Sequence, residues 1–210
     1  MRKQSEVDNF QGVDHEILEN LQTATKVIRN TMGRNGLQTL LVSSVNDSSG
    51  VAEAATHIAY LMVQLGQRIL LINMDCTMEE HVVSRLQPEK GDKLLKTLAG
   101  SPYMSEAIKQ TQYDELNYIG IEDVDDKELM DIIDGSNLDS RLNPLRNYFD
   151  TIIIIGPDYE RYERYSSIFE TADSLVTISK DNTSDYRKLR TYLNESDLFK
   201  LYSLGVIRHR

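Results

Sequence analysis

Residues 38–66, QTLLVSSVNDSSGVAEAATHIAYLMVQLG, constrain the fold of this chain more than any other stretch. Leu40, Leu41 and Val42 form a short apolar run of the kind that makes a buried strand. Residues 43–50 hold only small and polar side chains plus one valine, and read as a loop. From Val51 onward Val51, Ala55, Ile58, Met62 and Leu65 recur at helical spacing, and Gly66 stops the helix. Strand, small-residue loop and helix in that order aim backbone N–H groups and a helix N-terminus at one point, an arrangement suited to a phosphate. The lysine that a phosphate loop uses is absent from this one.

The remaining pattern repeats the theme. Residues 15–29 read as a helix with Ile17, Leu18, Leu21, Ala24, Val27 and Ile28 on one stripe. Strands are expected at 68–73, 116–121, 150–155, 174–179 and 201–207. Helical stretches are expected at 79–86, 93–99, 105–110, 126–133, 136–148, 159–171 and 184–193. RILLIN and DTIIII are apolar on both faces, which means a sheet covered on both sides. The alternation predicts an α/β domain, doubly wound, with a mostly parallel sheet and helices on both faces. It spans residues 15–210 behind an N-terminal extension of residues 1–14. Ligands of such sheets sit beyond the strands' C-terminal ends. Here that edge collects residues 43–50, 73–76 and 156–158, with Gly156 and Pro157 ending their strand.

Charge and composition narrow the partners. The 210 residues carry a net charge of −10, which argues against nucleic acid or anionic lipid as the main partner. The longest purely apolar run is residues 152–155, so no direct membrane insertion is expected. The start, MRKQSEVDNF, lacks the apolar stretch of a secretory signal. The one cysteine, Cys76, excludes an internal disulfide, fits a reducing, cytoplasmic compartment and reads as a small buried side chain. The acids of residues 122–134 read as a solvated loop and helix start, with a docking face for a basic segment as the alternative. The four histidines are scattered, and no metal site is expected. Ser43, Ser44, Ser48 and Ser49 can donate to an anion or cap the following helix; Asp47 suits the cap and repels a phosphate.

With these motifs in order, the chain resembles the cytoplasmic kinase domain of bacterial tyrosine kinases that control polysaccharide chain length, within the MinD and ParA type P-loop ATPases. SSVNDSSGVA occupies the place of the family's phosphate loop, LLINMDC that of an apolar strand ending in two aspartates, and Phe149 to Pro157 that of a second apolar strand. KLLKTLAGSPYMSEAI resembles the segment between those strands. The resemblance covers residues 15–207.

It also implies what has been lost. The family's loop ends Gly-Lys-Ser/Thr, where this chain has Ser49, Gly50 and Val51. Glycine cannot neutralise phosphate charge, and valine cannot hold Mg²⁺. Asn73 replaces the first aspartate of the next motif, Asp75 is kept, and Ile155 stands at the expected strand-end aspartate. Losing one charge-stabilising group commonly costs about 3 kcal/mol of barrier. The expectation is therefore a degenerate site without catalytic residues, cofactor or metal. It belongs to a binding or regulatory subunit in exopolysaccharide biosynthesis or secretion. Its expected partner is a protein, such as the cytoplasmic tail of a membrane polysaccharide co-polymerase or an active paralogue. One alternative keeps ATP/Mg binding or weak activity through the backbone amides of residues 47–52 and Asp75. Another is a localisation or pilus-assembly factor of the same fold. The family's ring-forming Glu-x-x-Arg-x-x-Arg pattern appears as Glu16, Glu19 and Gln22, which favours a monomer or dimer over a ring. Tyr159, Tyr162 and Tyr165, with Arg161 and Arg164 between them, form either a contact face or packing against the sheet edge.

Overall fold

The computed structural model describes residues 15–45, 48–159, 161, 166–180 and 186–209, without the side chains of 15–18, 48, 49, 126 and 209. The extension of residues 1–14, Asp47, Tyr162 and Tyr165 lie outside the described residues, as do the side chains of Glu16, Ser48 and Ser49. The strands in chain order are β1 (Thr39–Ser44), β2 (Ile69–Asn73), β3 (Lys109–Gln110), β4 (Leu116–Ile119), β5 (Thr151–Asp158), β6 (Ser174–Lys180) and β7 (Tyr202–His209). They form one seven-stranded sheet in the order β3-β4-β2-β5-β1-β6-β7, parallel except for β3. The α-helices are α1 (His15–Asn35), α2 (Ser48–Gln64), α3 (Glu79–Leu86), α4 (Leu94–Gly100), α5 (Asp126–Ser136), α6 (Leu138–Leu142), α7 (Ser166–Thr171) and α8 (Tyr186–Ser196). No helix among the described residues is long and apolar enough to cross a membrane.

The central strands are apolar throughout because both of their faces are covered. Leu41, Leu70, Ile72, Ile119, Ile152, Ile154 and Leu175 pack under residues of α4 to α8. The alternate residues Leu40, Val42, Ile69, Leu71, Ile153, Ile155 and Val176 pack under α1, α2 and α3. The period-2 geometry of a strand divides one apolar run between two layers. β5 lies between β1 and β2, in register as Val42↔Ile155 and Asn73↔Ile155.

The structure corrects several expected boundaries. β5 does not end at Gly156 and Pro157 but runs on to Asp158, which pairs with Ser44 past a bulge where Gly156 and Pro157 stand opposite Ser43 alone. A proline fits there because the ladder is already broken. Gly156 is required by crowding, since a Cβ at that position would lie 2.5 Å from Leu41 Cδ1. α2 begins at Ser48 rather than Val51, so Gly50 and Val51 sit in its first turn. Residues 105–110 are not helical as a whole: Met104–Ala107 is a 3₁₀ turn, and Lys109–Gln110 runs antiparallel beside β4. So short a stretch cannot sustain a helix by itself, whereas pairing covers an open edge. The expected helix of residues 136–148 divides because Asn137 is left-handed, with φ 52°, between α5 and α6, and the 3₁₀ turn Asn143–Asn147 follows. Of residues 159–171, only Ser166–Thr171 is α-helical among the described residues. Val27, placed on the apolar stripe of α1, is exposed.

Candidate functional site at the strand tips

The C-terminal ends of β1, β2 and β5 bring together most of the residues singled out from the sequence. Ser44 is buried at the end of β1, Gly50 and Val51 lie in the first turn of α2, and Asn73 closes β2. Ile155 lies level with Val42 and Asn73, three residues short of the tip of its strand. Its side chain is 0% exposed and belongs to the apolar layer beneath α2.

Asp75 is the centre of charge. Its side chain is 1% exposed, and its Oδ2 lies 2.7 Å from Nη2 of Arg161, itself 19% exposed. The other oxygen accepts from Thr77 N at 3.1 Å and from Thr77 Oγ1 at 2.7 Å, capping the turn Cys76–Met78. The guanidinium also approaches Asp158, with Nε 3.6 Å from Oδ1. Arg161 thus stands between the two carboxylates that project from the β2 and β5 ends. Ser43 Oγ donates to the Pro157 carbonyl, tying the tip of β1 to that of β5.

Asn73 is committed to structure. Its Oδ1 accepts from Asp75 N at 3.0 Å, and its Nδ2 donates to Glu79 Oε2 at 2.9 Å. Glu79 is a second hub. Oε2 also accepts from Tyr118 OH at 2.6 Å and Ile121 N at 3.1 Å, while Oε1 lies 3.2 Å from Lys93 Nζ. Burial first, and then the Glu79 carboxylate, push the Tyr118 hydroxyl well above its usual range. Gly120 suits this crowded hub, since a Cβ there would press against the Glu79 carboxylate.

Asp158, Arg161 and Glu79 were not identified from the sequence as site residues. In the sequence Arg161 is a charge between tyrosines, and nothing in the one-dimensional pattern pairs it with a residue 86 positions away. Among the other candidates, Glu19 is exposed on α1, and Gln22 likewise. The Tyr159 ring packs against Tyr192 with centroids 5.2 Å apart, partly buried against the core. The acidic stretch supplies caps. Glu122 accepts from Leu95 N and Lys96 N at the start of α4, and Asp125 from Lys127 N and Glu128 N at the start of α5. Cys76 is partly buried against the core. Among the described residues, no group of three or more His, Cys, Asp or Glu side chains could hold a metal ion.

Behind the site, His57 on α2 is buried, with Nδ1 2.8 Å from Glu53 O, and Glu53 pairs with Arg85 of α3 at 3.0 Å. Burial pushes His57 below its ordinary 6.5; Arg85 and His81 push the same way, against the Glu53 backbone bond and carboxylate. The unfolded chain therefore takes up this proton before the folded one. The penalty is absent above about pH 6.5 and grows as the pH falls toward the depressed folded value. In thermal melts, His57→Gln is expected to lose less stability than the wild type on acidification from about pH 7 to pH 5. An unchanged pH dependence in the variant would count against this assignment.

No protein-family model matches the chain. CapB of Staphylococcus aureus, named for tyrosine-protein kinase activity, is 25% identical over 168 residues, 77% of this chain and 72% of CapB. Tyrosine-protein kinase CpsD of Streptococcus pneumoniae serotype 4 is 24% identical over 177 residues, 83% of this chain and 76% of CpsD. The BceF tyrosine kinase domain superposes with a TM-score of 0.77 at 16% identity, over 91% of this chain and 76% of that one. The Pyrococcus horikoshii septum site-determining protein MinD, solved with Mg-ADP, superposes with a TM-score of 0.68 at 18% identity, over 81% of this chain and 69% of that one. At such identities the solved structures speak for the fold alone. The chain is thus similar in sequence to two bacterial tyrosine-protein kinases, and its seven-stranded, mostly parallel sheet has the P-loop-type α/β fold found also in MinD.

Proposed function

We propose that this chain is a catalytically inactive relative of the tyrosine kinases, acting as a binding or regulatory subunit in exopolysaccharide biosynthesis or secretion. Asp75 carries the reading. The one acid kept from the expected motif has one oxygen on Arg161 and the other on Thr77, and is closed off from water. A magnesium triphosphate fits these side chains poorly. Gly50 brings no charge, Val51 no hydroxyl, and Asn73 is bonded to Glu79 and the Asp75 amide. Ile155 is sealed in the apolar layer. The internal guanidinium offsets the Asp75 charge that a metal ion would otherwise offset.

On this reading the protein is held at the membrane's inner face by a partner, such as the tail of a membrane polysaccharide co-polymerase or an active paralogue, and is a monomer or dimer. Calorimetry with ATP and Mg²⁺ is expected to show no binding heat, and phosphate release to equal that of a blank. Mg²⁺-dependent binding with turnover that Asp75→Ala abolishes would overturn the proposal. One observation favours a second reading, nucleotide binding without turnover: α2 still presents its N-terminus to the tips of β1 and β5. Binding heat with no phosphate release would select it.

A further inference from the structure

The free edge of the sheet differs in charge from the rest of the molecule. β7 is the last strand in the order, so among the described residues no strand lies on its outer side. It is eight residues long, and Tyr202, Ser203, Gly205, Val206 and Arg208 are exposed along it. An open ladder of this kind is a template for another extended chain. The register shift lies between the pairs Leu175↔Ser203 and Val176↔Gly205, and from Gly205 to His209 the pairing with β6 is regular. The regular half of the edge is therefore the half nearest the strand tips.

That half is basic. Residues 186–210 contain six Lys or Arg and two Asp or Glu, net +4, whereas residues 1–185 contain 17 and 31, net −14. β6 ends at Lys180 opposite His209, and α8 starts at Tyr186, so its first turn stands over the same end of the sheet. Arg187, Lys188 and Arg190 are exposed there, together with Lys180 and Arg208. The pairs Thr177↔Val206 and Ser179↔Arg208 follow Leu175 at period 2. Leu175 packs in the same layer as Leu189 and Tyr192 of α8, so Val206 and Arg208 lie on the face that α8 covers. An apolar and a basic side chain thus alternate on the side already flanked by basic residues.

We propose that the outer edge of β7 accepts an acidic, extended segment of a partner protein as an added strand. Backbone pairing would supply the affinity, and the basic flank the choice of sequence. A second copy of this chain is a poor occupant, because residues 202–209 contain no carboxylate to meet the flank. The surface deepens the binding role proposed above and rests on that role, but not on the state of the phosphate loop.

The probe is a fluorescein-labelled peptide of about ten residues, the span of one strand, alternating valine and glutamate. Its partners in the test are a valine–lysine counterpart and an acidic version interrupted by proline. In anisotropy titrations on the full chain, the acidic peptide is expected to bind and the other two not, with affinity falling as salt is added. Arg208→Glu and Val206→Glu are each expected to weaken binding about tenfold or more. Hydrogen exchange is expected to slow at residues 205–209. Absence of binding, indifference to proline or to both variants, or protection elsewhere would overturn the proposal. So would equal affinity for duplex DNA, or a dimer that Val206→Glu dissociates. Magnesium–ATP calorimetry on the same samples reports separately on the loop, so the two proposals can fail independently.

Discussion

Ile155→Asp is expected to lower the thermal midpoint by about 10 °C or more, corresponding to about 4 kcal/mol of stability. The substitution restores the residue type that active relatives are expected to carry at this position, which makes the expected damage informative. Ile155 is 0% exposed, lies between Val42 and Asn73 in the sheet and packs in the layer under α2. A carboxylate there must lose its water without gaining a cation, because Arg161 is already engaged by Asp75 and Asp158. Ile155→Val, which removes one methylene and no polarity, is expected to cost about 1 kcal/mol and serves as the control. The measurement is circular dichroism melting of the three proteins. An aspartate variant as stable as the wild type would mean that position 155 reaches water or an ion, and would reopen the case for a metal site.

The second large effect is at Arg161. Arg161→Met keeps much of the apolar stem and removes the charge, leaving the Asp75 carboxylate closed off with only the two Thr77 bonds. Breaking one side of a buried pair costs about 3 kcal/mol or more, because the surviving charge is stranded. The midpoint is expected to fall by about 6–12 °C. Asp75→Asn combined with Arg161→Met should recover part of that loss, since the stranded charge is then gone as well. Strict additivity of the two single variants would show that the pair does not act as a unit, and would remove the main support for a self-neutralised site.

Much of the fold was legible because burial writes itself into a strand. DTIIII could be recognised as central from its lack of alternation, and it lies between β1 and β2. β3 was not legible: two residues, Lys109 and Gln110, carry no periodicity, and they form a strand only because β4 has an edge to cover. The end of β5 was misplaced for a related reason. Gly156 and Pro157 are ordinary stop signals, but here the two stand opposite the single residue Ser43, and past this bulge the strand continues to Asp158. Of the site, Gly50, Val51, Asn73 and Ile155 could be read residue by residue, since none of them carries a charge whatever the fold does. The neutralising partner could not. Arg161 meets Asp75 across 86 positions, and its neighbours in the chain suggested a tyrosine face instead.

The sequence by itself determined the layer architecture, a loop after β1 that runs through Ser49, Gly50 and Val51 without a lysine, and the separation of a basic C-terminal stretch from an acidic remainder. These depend on residue type and spacing, which are local quantities. Tertiary structure alone decided that Asp75 is spent on Arg161, that Asn73 serves Glu79, and that the basic stretch flanks an open strand. The first joins residues 86 positions apart, and the second extends through Glu79 to Tyr118, 39 positions further on, so the order of strands in the sheet has to bring them together.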